Sequence, residues 1–327
     1  MSLKRPHQPP RLSDLIALVD NVPLSFPQDD TTYYRLLLSP DPRPHGFIHP
    51  STIARMPWPA SFAVDHTARS VTLCAAPAGT SLSEHANAAF QNAVDDAIAA
   101  DVFPVLAGRH SEHFRVPGAR GFVQVERYAA SLFGIAARGA HLTGYVEDPV
   151  GGGLRIWVAR RSASLFMFPG MLDSTVAGGV KAADTPLSCI LAESLEEASL
   201  PSSILPRIRP AGVITALTRD AAAGHVHGEV LHVYDLAMAP GEVPAPGDDE
   251  VAEFVLMDCA EVRRRMLAGE FKPNVCSVLV DFMVRRGIVT PETEGEGEYV
   301  EICTRLRRRL PMPTESDMPL DANQVMI

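Results

Sequence analysis

The feature that most constrains this chain is a helix whose two ends are both written in the sequence, between Thr185 and Pro201. Thr185 followed by Pro186 places an N-cap residue before a proline at the first helical position. Leu200-Pro201 closes the segment, because a proline pushes the residue before it out of the helical region. Leu187, Ile190, Leu191 and Leu195 can cover a core. Glu193, Glu196 and Glu197 then stand at i, i+3 and i+4 and share one face. Three like charges so placed repel one another. A hard divalent cation with oxygen ligands, Mg²⁺ or Mn²⁺, makes such a cluster favourable; a solvated acidic face is the other reading. Just upstream, Ala177-Gly178-Gly179 lets backbone approach the same place and could offer the Ala177 carbonyl.

The surroundings suit a mixed α/β arrangement. Beyond about Arg138, strand-like runs (154–158, 212–216, 230–236, 252–257) alternate with helical patterns (186–198, 259–268, 275–286). Before it, apolar spacing from Arg11 to Asn21 suits a short helix, Val71-Thr-Leu-Cys a strand, and Ser83 to Ala100 a helix. This reading divides the chain into a loose arm (1–11), a smaller N-terminal unit (12–137), a main domain (138–310) and a tail (311–327). His66, His85, His110 and His113 are isolated and carry no ligand spacing. Arg263-Arg-Arg and Arg305 to Arg309 read as solvated helix faces.

Charge narrows the partners. With 39 acidic against 29 basic side chains the formal net charge is −10. No basic stripe exists to release counterions from nucleic acid, and no run of apolar residues reaches the length of a membrane-spanning helix. The five cysteines are scattered without a CxxC pair, and the N-terminus lacks the apolar core of a secretory signal. A cytoplasmic location is the expectation.

The register around the glutamates resembles the Nudix box, G-x5-E-x7-R-E-U-x-E-E-x-G-U, with U a bulky aliphatic. Gly178 takes the first glycine, Asp184 the first acidic position, Glu193, Glu196 and Glu197 the metal-binding glutamates, and Leu200 the last aliphatic. Ala192 stands where the arginine belongs, Ser194 at an aliphatic position and Ser199 at the second glycine. Further phrases, among them Gly46-FIHPSTIARMPW, Trp157-VARRS, Pro169-GMLDSTVAGG and Gly269-EFKPNVCSVLVDF, make residues 12–310 similar to the thiamine-pyrophosphokinase-related Nudix hydrolases. The resemblance implies an α/β/α sandwich with a mixed sheet behind a smaller α+β domain, and a diphosphohydrolase cleaving thiamine diphosphate or an oxidised analogue.

It also implies roles. Glu193, Glu196, Glu197 and the Ala177 carbonyl would hold the metal, with Glu193 or Glu250 as base. Arg160, Arg161 and Lys272 would meet substrate phosphates, and Glu229 would contact the substrate; each could equally serve as a surface ion-pair partner. Tyr145 and Trp157 could stack on a planar ring or fill the core. Leu165, at a position where relatives carry lysine, opens a second reading: the same chemistry on an apolar, isoprenoid-type diphosphate. Ala192 and Ser199 open a third, a degenerate module that binds its ligand without turnover. The expected partner is a small-molecule diphosphate, with neither nucleic acid nor membrane; oligomeric state is not legible.

Overall fold

The computed structural model describes residues 10–106, 112–147 and 153–315. Most of the expected arm and tail, His110, Gly151 and Gly152 lie outside the described residues.

In chain order, α1 (Leu12–Ile16) precedes β1 (Tyr34–Leu38), β2 (Pro44–Ile48), α2 (Pro50–Arg55), β3 (Phe62–Asp65), β4 (Ser70–Leu73) and α3 (Leu82–Ala99). The four strands form a mixed sheet in the order β2-β1-β4-β3, with β1 and β4 parallel. α3 begins at a Ser81–Glu84 capping box and buries Ala86, Ala89, Phe90, Ala93, Val94 and Ala97, a stripe at helical spacing that joins Leu36, Val71 and Leu73 in one core. A small hairpin, β5 (His113–Arg115) and β6 (Gln124–Glu126), and α4 (Ala129–Leu132) lead out of this unit.

The second unit comprises β7 (Ala137–Glu147), β8 (Leu154–Arg161), β9 (Leu172–Asp173), β10 (Val176–Gly179), α5 (Pro186–Glu196), β11 (Arg209–Arg219), β12 (Val226–Ala237), β13 (Val251–Asp258), α6 (Cys259–Leu267), α7 (Pro273–Arg285), α8 (Pro291–Glu294) and α9 (Glu296–Arg305). Its sheet runs β11-β12-β7-β8-β13, with β10 added to β7 and β9 to β8. β7 and β12 are parallel and the other pairs antiparallel. α5 packs on one face through Cys189 and Ile190 against Ala140, Leu142 and Leu236. α6 and α7 cover the other through Val262, Met266, Val278, Leu279 and Phe282. The layering is α/β/α, as the resemblance implies. Leu12, Leu15 and Ile16 of α1 belong to the α7 core, although they precede the N-terminal sheet in sequence. Among the described residues no helix is long and apolar enough to cross a membrane.

The sheet forks at its centre. β7 pairs with β10 over Gly139–Leu142 and with β8 only over Tyr145–Glu147. At the change of partner the Thr175 hydroxyl accepts the Gly144 N–H at 2.8 Å and donates to the Trp157 carbonyl at 2.5 Å. These side-chain bonds replace ladder bonds that would otherwise go unmade in a buried place. The fork carries residues 172–179 across the end of α5.

Of the arginines at 305–309, Arg307 and Arg309 are exposed, but Arg308 departs from the solvated face the sequence suggests. Arg308 is 5% exposed, pairs with Asp20 at 2.9 Å and donates to the Pro23 carbonyl at 2.7 Å and to that of Val22. Arg307 pairs with Asp281. Arg263 likewise pairs with Glu294. Each is held by a carboxylate distant in sequence, which no local pattern reveals.

Candidate active site

Helix α5 starts as its sequence dictates, with Thr185 Oγ1 accepting the Ser188 N–H at 3.0 Å. It stops in a left-handed turn at Ser199, φ +49°, with the Leu200 N–H returning to the Ser194 carbonyl at 3.0 Å. A Cβ is strained in this conformation, and a glycine would carry none.

The three glutamates of one face meet three different surroundings. Glu197 is buried, 9% exposed, and accepts the Ala177 N–H at 3.3 Å. Burial, then the charge of Glu193, pushes its carboxyl up to about 9. Glu193 lies against Gly178, where a Cβ would sit 2.5 Å from its Oε1. Burial, then Glu196, raises Glu193 to about 7, against the pull of Lys181. Glu196 is exposed. The loop before β13 closes the far side: Gly247 donates to the Glu197 carbonyl at 3.1 Å, and a Cβ on Gly247 would meet the Glu196 carbonyl at 2.1 Å. That loop brings Glu250, whose charge raises both Glu193 and Glu197.

Beside Glu197 stands a residue that the sequence reading did not single out. Asp173, buried, takes Arg161 Nη1 at 3.1 Å, has Lys272 Nζ at 3.7 Å and accepts the Ser174 N–H at 2.8 Å. Burial would raise its carboxyl, but Lys272, His141 and Arg161 together outweigh burial and hold it below the usual range. His141, bonded to Ser174 Oγ at 2.9 Å, is pushed down to about 4 by burial and by Lys272. Lys272 reaches this place because Leu172 accepts the Lys272 N–H at 3.0 Å and donates to the Glu270 carbonyl at 2.9 Å. The only sequence signal for Asp173 was its place inside the Pro169-GMLDSTVAGG phrase.

Of the expected site residues, Glu193, Glu197, Ala177 and Glu250 come together, and Arg161 and Lys272 join them through Asp173. Others do not. Arg160 turns to Glu253 at 2.7 Å and to the Gly170 carbonyl at 3.2 Å. Glu229 sits on β12 opposite Ala216 and Ala137, with no ion pair to the cluster among the described residues. Tyr145 packs on Phe282 on the α7 face, and Trp157 is buried behind α5; neither offers a ring to a ligand beside the glutamates. Residues 162–171 form a loop, with Phe166 65% and Met167 47% exposed. The Met167 carbonyl accepts Arg161 Nη2 at 3.2 Å.

Among the described residues no three acidic, histidine or cysteine side chains already stand in a ligating arrangement. The chemistry of the donor set nevertheless fits a hard divalent cation. Glu193 and Glu197 are oxygen donors made weakly acidic by burial and mutual repulsion, the two effects a bound cation reverses. Glu196, next to Glu197 in sequence and one turn after Glu193, is exposed beside them.

A family model described as the NUDIX domain matches residues 143–275. An uncharacterised protein of Saccharomyces cerevisiae is 39% identical over 203 residues, 59% of this chain and 59% of that protein. Nudix hydrolase 20, chloroplastic, of Arabidopsis thaliana is 35% identical over 189 residues, 58% of this chain and 49% of that protein. The chain thus spans only 49% to 59% of the length of these curated relatives. Among solved structures, the NUDIX domain of Shewanella oneidensis NrtR complexed with ADP ribose aligns with a TM-score of 0.36 at 14% identity, covering 46% of this chain and 87% of that one.

Proposed function

We propose that the Nudix domain of this chain is a divalent-metal-dependent diphosphohydrolase that cleaves a small organic diphosphate, thiamine diphosphate or an oxidised analogue, to a monophosphate and phosphate. The observation that carries the chemistry is the meeting of two environments at one point. Mutually repelling carboxylates, Glu197 buried and Glu193 half-buried, lie beside two cations, Arg161 and Lys272, gathered by Asp173. Acidic groups suit a metal, and the neighbouring cations suit the phosphate oxygens that a metal leaves uncovered. The thiamine-type substrate rests on the resemblance of residues 12–310.

Glu193, Glu196 and Glu197, with the Ala177 carbonyl, would hold Mg²⁺ or Mn²⁺. When bound, such an ion supplies charge neutralisation and a more acidic water. Arg161 and Lys272 orient the diphosphate, and Asp173 fixes both cations in place. Glu250, exposed at the edge of the cluster, accepts the proton of the attacking water. The water oxygen bonds to one phosphorus, the bridging P–O bond breaks, and the bridging oxygen leaves with the other phosphoryl group.

A second substrate reading has an observation of its own. Phe166 and Met167 are exposed on the loop whose backbone holds Arg161, so an apolar rim adjoins the phosphate-binding cation. This suits an isoprenoid-type diphosphate. Incubating the protein with Mg²⁺ and thiamine, oxothiamine and farnesyl diphosphates, with Glu197→Gln alongside, decides between them. Monophosphate release from the thiamine compounds, lost in Glu197→Gln, is expected. Turnover of farnesyl diphosphate alone moves the assignment to the second reading. Ligand binding with no turnover of any diphosphate would leave a non-catalytic module.

A further inference from the structure

A second cluster of charge lies at the other end of α7. Lys272, beside Asp173, immediately precedes this helix and Arg285 and Arg286 end it. Thirteen residues at 1.5 Å each put the two ends about 20 Å apart. There a cleft of about 370 Å³ opens between the start of β11, the ends of β7 and β12, and the α7 terminus, lined by Arg207, Arg209, Arg285 and Arg286 with Tyr145 and a single carboxylate, Asp235. In a chain of net charge −10, four guanidinium groups in one concavity run against the average.

Their commitments differ. Arg285 is fully engaged, bidentate to Asp235 at 2.6 and 2.9 Å and bonded to Asp281 at 2.8 Å. Arg286 gives Asp235 one hydrogen bond at 3.0 Å and lies over the Tyr145 ring at 4.3 Å from its centroid; its Nε has no hydrogen-bond partner. Arg207 reaches Glu242. Arg209 is exposed and bonds only the Pro206 and Ile208 carbonyls, at 2.6 and 3.2 Å; it stands opposite Asp235 in the β11–β12 ladder, but among the described residues it makes no ion pair. Asp235 is thus ion-paired with two arginines, and the rim carries a third, Arg209, that makes no ion pair of its own. Stacking on Tyr145 holds the Arg286 plane in place, which lowers the entropy lost when a ligand adds hydrogen bonds.

We propose that this cleft is an anion site for a phosphate group, free or on a small ester, separate from the carboxylate cluster. Its size admits a small ligand rather than a polymer. The planar, multi-donor guanidinium forks match the tetrahedral oxygens of phosphate. The site does not depend on the hydrolase reading.

Calorimetric titration of the full chain in EDTA, with inorganic phosphate in one arm and glycerol 3-phosphate in the other, tests it. Saturable binding is expected in at least one arm, and the tighter arm assigns the source of the phosphate. Arg209→Glu should weaken it at least about tenfold, the cost of replacing one charge-assisted contact by repulsion, and Arg207→Glu should weaken it also. Both side chains are exposed, and melting curves check that the variants fold. Glu197→Gln should bind as the wild type does. No saturable binding in either arm, or binding that ignores Arg209→Glu and Arg207→Glu, overturns the assignment. Binding that instead disappears in Lys272→Ala would place the anion at the carboxylate cluster and overturn it equally.

Discussion

Replacing Glu197 by glutamine should stabilise the metal-free protein while removing the proposed hydrolase activity. In the folded chain the Glu197 carboxyl is raised from 4.5 to about 9, by burial first and by Glu193 second. Between those two values the unfolded chain has released a proton that the folded chain retains. Stability therefore falls as pH rises through that window, and it is complete below the unfolded value. At pH 7.5 the gap to the unfolded value is roughly 3 pH units, about 4 kcal/mol at 1.36 kcal/mol per unit. Glutamine keeps the shape and the bond from Ala177 without the charge, so about 2–4 kcal/mol should return. Guanidinium unfolding of both proteins in EDTA at pH 5.0 and 7.5 reads it. The variant should be more stable at pH 7.5, and the difference should shrink to under about 1 kcal/mol at pH 5.0, where little of the window lies below the working pH. Adding Mg²⁺ should stabilise the wild type more than the variant. A Glu197→Gln protein equally or less stable at pH 7.5, or one with the same gain at both pH values, would refute the reasoning.

Gly178→Ala should keep its fold, since the nearest atoms to the added Cβ all belong to the Glu193 side chain, Oε1, Cγ and Cδ at 2.5 to 2.8 Å, yet lower kcat about tenfold or more by displacing that carboxylate. Gly247→Ala should instead lose stability, by about 1–3 kcal/mol, because its Cβ meets the backbone carbonyl of Glu196; denaturant midpoints beside kcat separate the two. Ser199→Gly should gain about 0.5–1 kcal/mol by relieving the left-handed turn after α5, measured by chemical unfolding. Arg308→Ala should cost about 2–3 kcal/mol, because it leaves the buried Asp20 carboxylate with only Arg305 at 3.6 Å and the Leu217 N–H at 3.2 Å; a loss under about 1 kcal/mol would show that those partners and water suffice for that carboxylate.

The sequence by itself determined what depends on neighbours along the chain. The start of α5 at Thr185-Pro186, the shared face of Glu193, Glu196 and Glu197, and the helix read from Ser83 to Ala100 all follow from helical spacing and capping, which act within one or two turns. The resemblance to the Nudix box marked position 199 as a glycine place, where Ser199 takes a left-handed turn. β7 was harder to read, because Gly139 and Gly144 interrupt its apolar pattern; both stand where another chain element crosses closely, Leu231 in one case and Met238 with Thr175 in the other. Only the tertiary structure decided that Glu197 is buried while Glu196, one residue away, is exposed, and that Arg161 and Lys272, far apart in sequence, turn to Asp173. It also drew Arg160 to Glu253, and Arg308 into the interior with Asp20. Burial and ion pairing depend on which surfaces meet in space. Charge separated by many residues in sequence can lie a few ångströms away in the fold, where desolvation and Coulomb attraction are strongest.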